Sequence, residues 1–233
     1  MKINNISLSA HQPAYLPWLG YFEKIAAVDV FIFLDSVQFE KNSYINRNKI
    51  KTPTGSQWLS LPVSSRGHFS QTLKETVIEN REFWVNKHLK SIYSNYRKSY
   101  YFDYCYPRLE NLFSNSDLKL SDFCFRQLNF WLSELGIDTK VVRSSTLDLQ
   151  SKKSDLIIDL CNVHGANSYY SGCLGRQYID EGSFTSSNIL IKYQNYIPIK
   201  YPQLWGDFVP NLSVVDLWMN CGPDSRDIFM GDV

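Results

Sequence analysis

The sequence has little excess charge of either sign and no long apolar run. Its 24 basic and 23 acidic residues leave a formal charge of +1, so it lacks the basic excess with which proteins bind nucleic acid nonspecifically, and no DNA partner is expected. No apolar run approaches the roughly 20 residues that a membrane-spanning helix needs. The first residues also lack the apolar continuation of a signal peptide. We therefore expect a cytoplasmic protein without a membrane span.

Several common catalytic and metal-binding motifs are also missing. The five cysteines are widely spread and form no C-x-x-C pair, so we expect no metal site and interpret the thiols as small buried side chains. The chain contains no Walker loop, no G-x-G-x-x-G fingerprint, no H-E-x-x-H and no G-x-S-x-G. These absences argue against the P-loop, dinucleotide-binding, zincin and serine-hydrolase mechanisms that such motifs support.

What the sequence does contain is the alternation of apolar strands and amphipathic helices that is typical of α/β proteins. We predict a three-layer fold with a parallel-type sheet between flanking helices. It forms a single domain over residues 1–233, with a helical insertion at about residues 80–136. The polar stretch 36–54 is interpreted as an irregular loop or a short helix. The predicted strands of the sheet are near residues 6–10, 30–34, 140–143, 167–171 and 189–193.

Two candidate catalytic residues stand where predicted strands end. His11 follows the first strand and precedes Pro13, and Asp35 ends the apolar run of the second strand. In α/β folds the ligand site lies at the carboxyl ends of the strands, where an imidazole can bind phosphate or act as a general base. A structural histidine and a turn-capping aspartate are the alternatives.

Polar clusters elsewhere in the chain are candidates for substrate binding. Residues 46–49 are rich in hydrogen-bond donors that suit an anion clamp, although a solvated loop is the alternative. The turn from Ser171 to Arg176 could hold phosphate at a helix start, or it could be a plain strand-to-helix turn. Near the carboxyl end, Gln203 adds a polar group, and Asp216 and Asn220 lie one helical turn apart and can face one ligand.

The motifs that contain these residues resemble the WbqC-like family, and the resemblance spans nearly the whole chain. It rests on His-Gln-Pro at 11–13, Leu-Asp at 34–35, Asn-Arg-Asn at 46–48, Trp-Leu at 58–59 and Tyr-Ser-Gly at 170–172. The resemblance implies a bacterial protein of O-antigen or related surface-polysaccharide pathways that transfers glycine onto an amino sugar. The chain is also similar to the nucleotidyltransferase-like α/β fold, although Ala14 stands where that fold has a second histidine.

Together these observations favour a transferase that moves an acyl or aminoacyl group onto the amine of a nucleotide-linked amino sugar, with ATP or an activated aminoacyl donor. His11 would deprotonate the amine or contact phosphate with Asp35 as its partner, and Tyr170 or Tyr178 would stack on the base or sugar. A non-catalytic nucleotide-sugar-binding protein is the alternative. The predicted substrate- and phosphate-binding residues are Gln12, Tyr15, Gln38, Lys41, Asn46, Arg47, Lys49, Tyr170, Ser171, Gly172, Arg176, Tyr178, Gln203, Asp216 and Asn220.

Overall fold

A parallel five-stranded sheet and a separate two-stranded hairpin organise the chain. The computed structural model describes residues 5–41, 43–64, 71–115, 117–177 and 179–231. The strands are β1 (Ser7–His11), β2 (Val30–Phe33), β3 (Arg47–Thr52), β4 (Gly55–Ser60), β5 (Lys140–Arg143), β6 (Ser168–Ser171) and β7 (Leu190–Tyr193). The large sheet has the order β5-β2-β1-β6-β7, and each neighbouring pair is parallel. The predicted parallel α/β fold is thereby confirmed, whereas the likeness to nucleotidyltransferases stays a prediction.

Eight α-helices accompany these strands in the described part of the chain. Three of them, α2, α3 and α4, fall within the predicted helical insertion. None of the described helices is both long and apolar enough to cross a membrane. The helices are α1 (Leu19–Ala26), α2 (Arg81–Tyr96), α3 (Phe102–Ser114), α4 (Leu120–Glu134), α5 (Lys153–His164), α6 (Glu181–Ser186), α7 (Val214–Cys221) and α8 (Ser225–Met230).

The side chains of β2 show how the sheet separates two hydrophobic cores. Alternate residues of a strand point to opposite faces, so Val30 and Ile32 pack with α5 and α6 in one core. Phe31 and Phe33 pack in the larger core with α1, α2, α3, α4 and α7. Because all four residues are buried, the strand reads as a continuous apolar run, as strands covered on both faces do.

The polar stretch 36–54 differs from its prediction as a loop or short helix. It contains β3, which pairs with β4 in an antiparallel hairpin. Lysine, asparagine and arginine have weak strand propensity, which is why the sequence did not reveal the strand. The hairpin is stabilised by its surroundings instead: the Ser213 amide donates to the Lys49 carbonyl at 2.9 Å, and Tyr96 Oη accepts from the Lys51 amide at 2.9 Å.

The strand order reverses at one place on the carboxyl edge of the sheet. From β1 the chain proceeds outward to β2 and β5, and then returns to the other side of β1 to add β6 and β7. The loops after β1 and β6 therefore leave in opposite directions, and we call the region between the ends of these two strands, where open α/β sheets bind ligands, the crevice. Ser171 and His11 are the last residues of the two strands.

Candidate functional site

His11 ends β1 and lies among aromatic rings. Its ring centroid is 5.0 Å from that of Tyr21 and 5.7 Å from that of Trp18, both in edge-on contacts. Nδ1 lies 2.9 Å from the carbonyl oxygen of Gln12. Because a carbonyl can only accept, Nδ1 carries the proton and Nε2 carries the lone pair. Burial, with a smaller contribution from the charge of Lys24, lowers the pKa of His11 from 6.5 to about 3, so the ring is neutral near pH 7.

Lys24 is a buried cation at the same crevice that the sequence analysis missed. Its side chain extends from α1, the residue is 2% exposed, and Nζ donates to the carbonyl oxygen of Ala10 at 3.1 Å. A Cβ added at Gly172 would lie 3.8 Å from Nζ, so the amine faces the turn after β6. Burial lowers its pKa from 10.5 to about 7. The sequence does contain an indication that Lys24 is buried, because the residue lies one helical turn after Tyr21 on the apolar face of α1.

The turn after β6 closes the other side of the crevice. Gly175 packs so closely on Ser171 that an added Cβ would lie 1.9 Å from the serine Oγ, and any side chain there would displace that hydroxyl. Arg176 is exposed, and its guanidinium lies 4.1 Å above the ring centroid of Tyr193 at the end of β7. The turn therefore presents a cation at the carboxyl edge. Tyr178 lies outside the described residues.

Asp35 is held at the end of β2 by groups from β5 and α4. Its carboxylate is fully buried and accepts from Arg143 Nε at 2.7 Å, from the Ser145 amide at 2.9 Å and from the hydroxyls of Ser121, Ser144 and Ser145. Burial works to raise its pKa, but the hydrogen bonds of Ser145 and the hydrogen bond and charge of Arg143 hold the pKa below its ordinary value. These bonds indicate a role in joining β2 to β5, and the predicted partnership with His11 stays a prediction.

The residues of β3 divide between two faces of the hairpin. Asn46, just before the strand, and Asn48 donate to backbone carbonyls at 2.9 and 2.6 Å, so their amides fasten the hairpin. Arg47 and Lys49 point the other way, with charged groups 4.4 and 4.9 Å from the ring centroid of Trp58 on β4. The predicted anion clamp therefore has two cations on one face and two structural amides on the other.

A series of aromatic contacts joins this cationic face to the crevice. The ring of Trp18 contacts His11 and also lies 5.2 Å from Tyr44, and Tyr44 lies 5.6 Å from Trp58. Tyr44 and Trp58 are each 39% exposed. We call these two rings, with Arg47 and Lys49, the hairpin platform.

Tyr15, a predicted substrate-binding residue, lies in the hydrophobic core. It is fully buried against Trp84 and Phe123, and its hydroxyl is 2.8 Å from Nδ1 of His88. His88 also makes a hydrogen bond to the backbone of Ser60. Burial, with a smaller effect of Lys87, lowers the pKa of His88 from 6.5 to about 4. These contacts indicate that Tyr15 and His88 act in packing.

We expect His88→Gln to flatten the loss of stability in acid. A histidine that is buried neutral binds no proton in the folded protein, whereas the unfolded chain binds one below pH 6.5, so the free energy of unfolding falls as the pH drops from 6.5 towards 4. The loss amounts to on the order of 3 kcal/mol. Urea denaturation of both proteins across this pH range measures the difference. If the free energy of unfolding depended on pH in the same way in both proteins, a neutral His88 in the folded protein would be contradicted.

Two predicted residues belong to a second polar cluster around α7. Asp216 is fully buried and accepts from the hydroxyls of Tyr96 at 2.7 Å and Tyr201 at 3.0 Å, and burial raises its pKa to about 6. Gln203 accepts from Lys51 Nζ at 2.9 Å. Because Lys51 lies on β3, this cluster fastens the hairpin to the carboxyl-terminal part of the chain.

The remaining predicted residues have separate surroundings. Tyr170 Oη donates to Glu23 Oε1 at 3.0 Å, which ties β6 to α1. Gln38 forms an isolated β-bridge, Lys41 is exposed, and Asn220 donates to the backbone carbonyl four residues earlier in α7. Their predicted roles in binding stay predictions.

The structure thus brings together one set of the predicted residues at the crevice. His11 at the end of β1, Gln12 directly after it, the Ser171–Arg176 turn and the unpredicted Lys24 converge there, and the hairpin platform adjoins them through Trp18. Asp35 turns instead towards β5. Within the described residues, no group of three or more His, Cys, Asp or Glu side chains could hold a metal ion.

Comparisons with known proteins identify a matching family and a similar protein. The WbqC-like protein family matches residues 12–228. An uncharacterised protein of Mycobacterium tuberculosis, Rv1507c, is 37% identical over 222 residues, which cover 93% of this chain and 94% of that protein. No solved structure matches the chain significantly.

Proposed function

Because the chain belongs to the WbqC-like protein family, we propose that it is a cytoplasmic transferase of bacterial surface-polysaccharide (O-antigen) biosynthesis. The proposed reaction moves an acyl or aminoacyl group, such as glycine, onto the amine of a nucleotide-linked amino sugar. The donor is either an activated aminoacyl compound or a carboxylate that ATP activates. Family membership supports the pathway, and the chemistry of the crevice supports the reaction.

The observation that carries the proposal is a neutral imidazole at the switch point of a parallel sheet. His11 stands at the carboxyl end of β1 with its Nδ1 fixed by Gln12, and Lys24 supplies a partly deprotonated amine or a cation beside it. Titratable groups with strongly shifted pKa values in a crevice are typical of functional sites. Ligands of open α/β sheets bind at this kind of switch point.

In the proposed mechanism His11 receives the proton that the amine must lose. The amine nitrogen attacks the acyl carbon and forms the amide bond, while the leaving group of the donor departs with the bonding electron pair. The proton on nitrogen passes to Nε2 of His11 and then to the leaving group. With a pKa of about 3 the imidazole alone is a weak base. The negative charge of a bound diphosphate raises that pKa and makes the ring a better base.

Cations on both sides of the crevice would hold the diphosphate. Arg176 extends from the turn after β6, and Arg47 and Lys49 extend from the hairpin platform. Arginine binds phosphate through its planar fork and lysine as a point charge. The near-neutral charge of the whole chain means that this local set, rather than a general basic field, would supply the attraction.

Product mass is the direct test of this function. The protein is incubated with nucleotide-linked amino sugars and either glycine with ATP or an activated glycyl donor, and mass spectrometry follows the sugar nucleotide. We expect a product heavier by one acyl group, formed only when sugar and donor are both present. A matched sugar nucleotide with a hydroxyl in place of the amine is the control. Ligand binding by calorimetry without turnover for any donor would instead favour a non-catalytic nucleotide-sugar-binding protein.

A further inference from the structure

We propose that the hairpin platform is the subsite for a nucleoside diphosphate, with the base stacked on Tyr44 and Trp58 and the phosphates bound by Arg47 and Lys49. This inference rests on the proposed function for the identity of the substrate, and it moves the base-stacking position from Tyr170 or Tyr178 to Tyr44 and Trp58.

Exposure of the two rings is the first observation. Tyr44 and Trp58 are among the large hydrophobic side chains that stay exposed in the described residues, each at 39%, and their ring centroids are 5.6 Å apart. The two rings are tilted by 51° to one another, so a base can stack on the exposed part of one ring and contact the edge of the other. Stacking on an aromatic side chain is worth about 1–3 kcal/mol per base, which corresponds to a change in affinity of roughly 5- to 150-fold.

Charge determines which ligand suits this surface. Arg47 and Lys49 are two residues apart on β3 and therefore point to the same face, where both approach the ring of Trp58. An uncharged sugar could stack on the rings but would not use the two cations, whereas a diphosphate carries the complementary charge. A long nucleic acid would require a wider basic surface than a chain of net charge +1 provides.

The platform is also fixed in position and continuous with the crevice. Asn48 and the Ser213 amide hold β3 through hydrogen bonds of 2.6 and 2.9 Å, so a ligand need not order the hairpin as it binds. Trp18 contacts both Tyr44 and His11. A ligand with its base on the platform would therefore extend its phosphates and sugar along a surface that leads to His11.

A crossed binding experiment tests the platform. Full-length protein is titrated with UDP, GDP and dTDP, with the matching nucleosides, and with inorganic pyrophosphate. We expect Tyr44→Leu, which keeps apolar area but removes the aromatic face, to weaken the nucleoside and the nucleoside diphosphate about 10-fold and to leave pyrophosphate unchanged. Lys49→Gln should weaken pyrophosphate and nucleoside diphosphate and leave the nucleoside unchanged. Tyr100→Ala, which removes a ring that is 88% exposed outside the hairpin, should change none of them.

Several outcomes would overturn the inference. These are equal affinities for all variants, equal weakening of all three ligand classes by both variants, and absence of nucleoside diphosphate binding. Tight binding of RNA oligonucleotides alone, with steep salt dependence, would assign the platform to a nucleic acid instead. The transferase assay separates the two proposals: turnover with an unchanged KM in Tyr44→Leu rejects the platform alone, and nucleotide binding to the platform without turnover rejects the reaction alone.

Discussion

Asp35→Asn is expected to lower the free energy of unfolding by roughly 3–5 kcal/mol, the largest stability effect that we predict for a single substitution here. The carboxylate is fully buried and paired with Arg143 at 2.7 Å. Asparagine would keep the volume, but it would leave the guanidinium opposite a neutral group and place an N–H donor among hydroxyl and amide donors. Chemical denaturation near pH 7 measures the change.

Asp122→Asn is the matched control, because it removes the other carboxylate bound to the same guanidinium. Arg143 contacts Asp122 at 2.7 Å as well, but the Asp122 side chain is 49% exposed. Solvent screens such a pair, and we expect a loss of at most about 1 kcal/mol. Equal losses in the free energy of unfolding for the two variants would contradict the inference that burial makes the Asp35 carboxylate the more stabilising of the two.

The Asp35 carboxylate also makes a testable contribution to the pH dependence of stability. Its pKa is lower in the folded protein than in the unfolded chain, so the stabilisation is complete above the unfolded pKa and disappears as the pH falls through the folded pKa. The difference in stability between wild type and Asp35→Asn should therefore shrink in acid.

His11→Gln is expected to lower turnover of the amino-sugar nucleotide about 10²- to 10⁴-fold, the range that a positioned general base contributes. Glutamine has a similar reach and can donate a hydrogen bond to phosphate, but it cannot accept and release a proton at Nε2. We expect a larger fall in kcat than in substrate affinity, because the variant retains the groups proposed to bind the diphosphate. Initial rates over a range of substrate concentrations separate the two parameters.

His164→Gln is the matched control for this substitution. His164 lies in the last turn of α5, on the other face of the sheet from α1, and its replacement should leave turnover unchanged. Full activity in His11→Gln would remove the imidazole from the mechanism. Loss of affinity with an unchanged kcat would assign His11 to phosphate contact, the other role that the sequence allows.

Apolar periodicity was sufficient to predict most of the large sheet. The strand predicted over 140–143 coincides with β5, and the predicted strands at 167–171 and 189–193 differ from β6 and β7 by one residue. β6 has three buried residues, whereas β5 and β7 lie at the two edges of the sheet and have none, so the local pattern predicted these edge strands without full burial. β3 was missed because five of its six residues are polar, and its stability depends on distant contacts.

The candidate site was harder to predict because side-chain direction within a strand or helix decides it. Asn48 and Lys49 are adjacent in sequence, yet the amide of Asn48 is buried and the ammonium of Lys49 approaches Trp58. Lys24 would be expected in solvent by residue type alone, but α1 turns it towards the sheet. Composition and motif spacing identify donor-rich segments. Whether a donor in such a segment holds the backbone in place or is free to bind a ligand depends on tertiary packing.

The anchoring of the hairpin also has a consequence for synthesis of the chain on the ribosome. Ser213 and Asp216 secure β3 and its neighbours, yet they follow the hairpin by more than 150 residues in the sequence. Chains emerge from the ribosome at about 5–20 residues per second, so the hairpin waits roughly 8–30 seconds for these anchors. During that interval the hairpin has only its earlier contacts, such as those with Leu16 and Tyr96, and a nascent chain stalled before α7 should be more sensitive to proteases at β3 and β4 than the released protein.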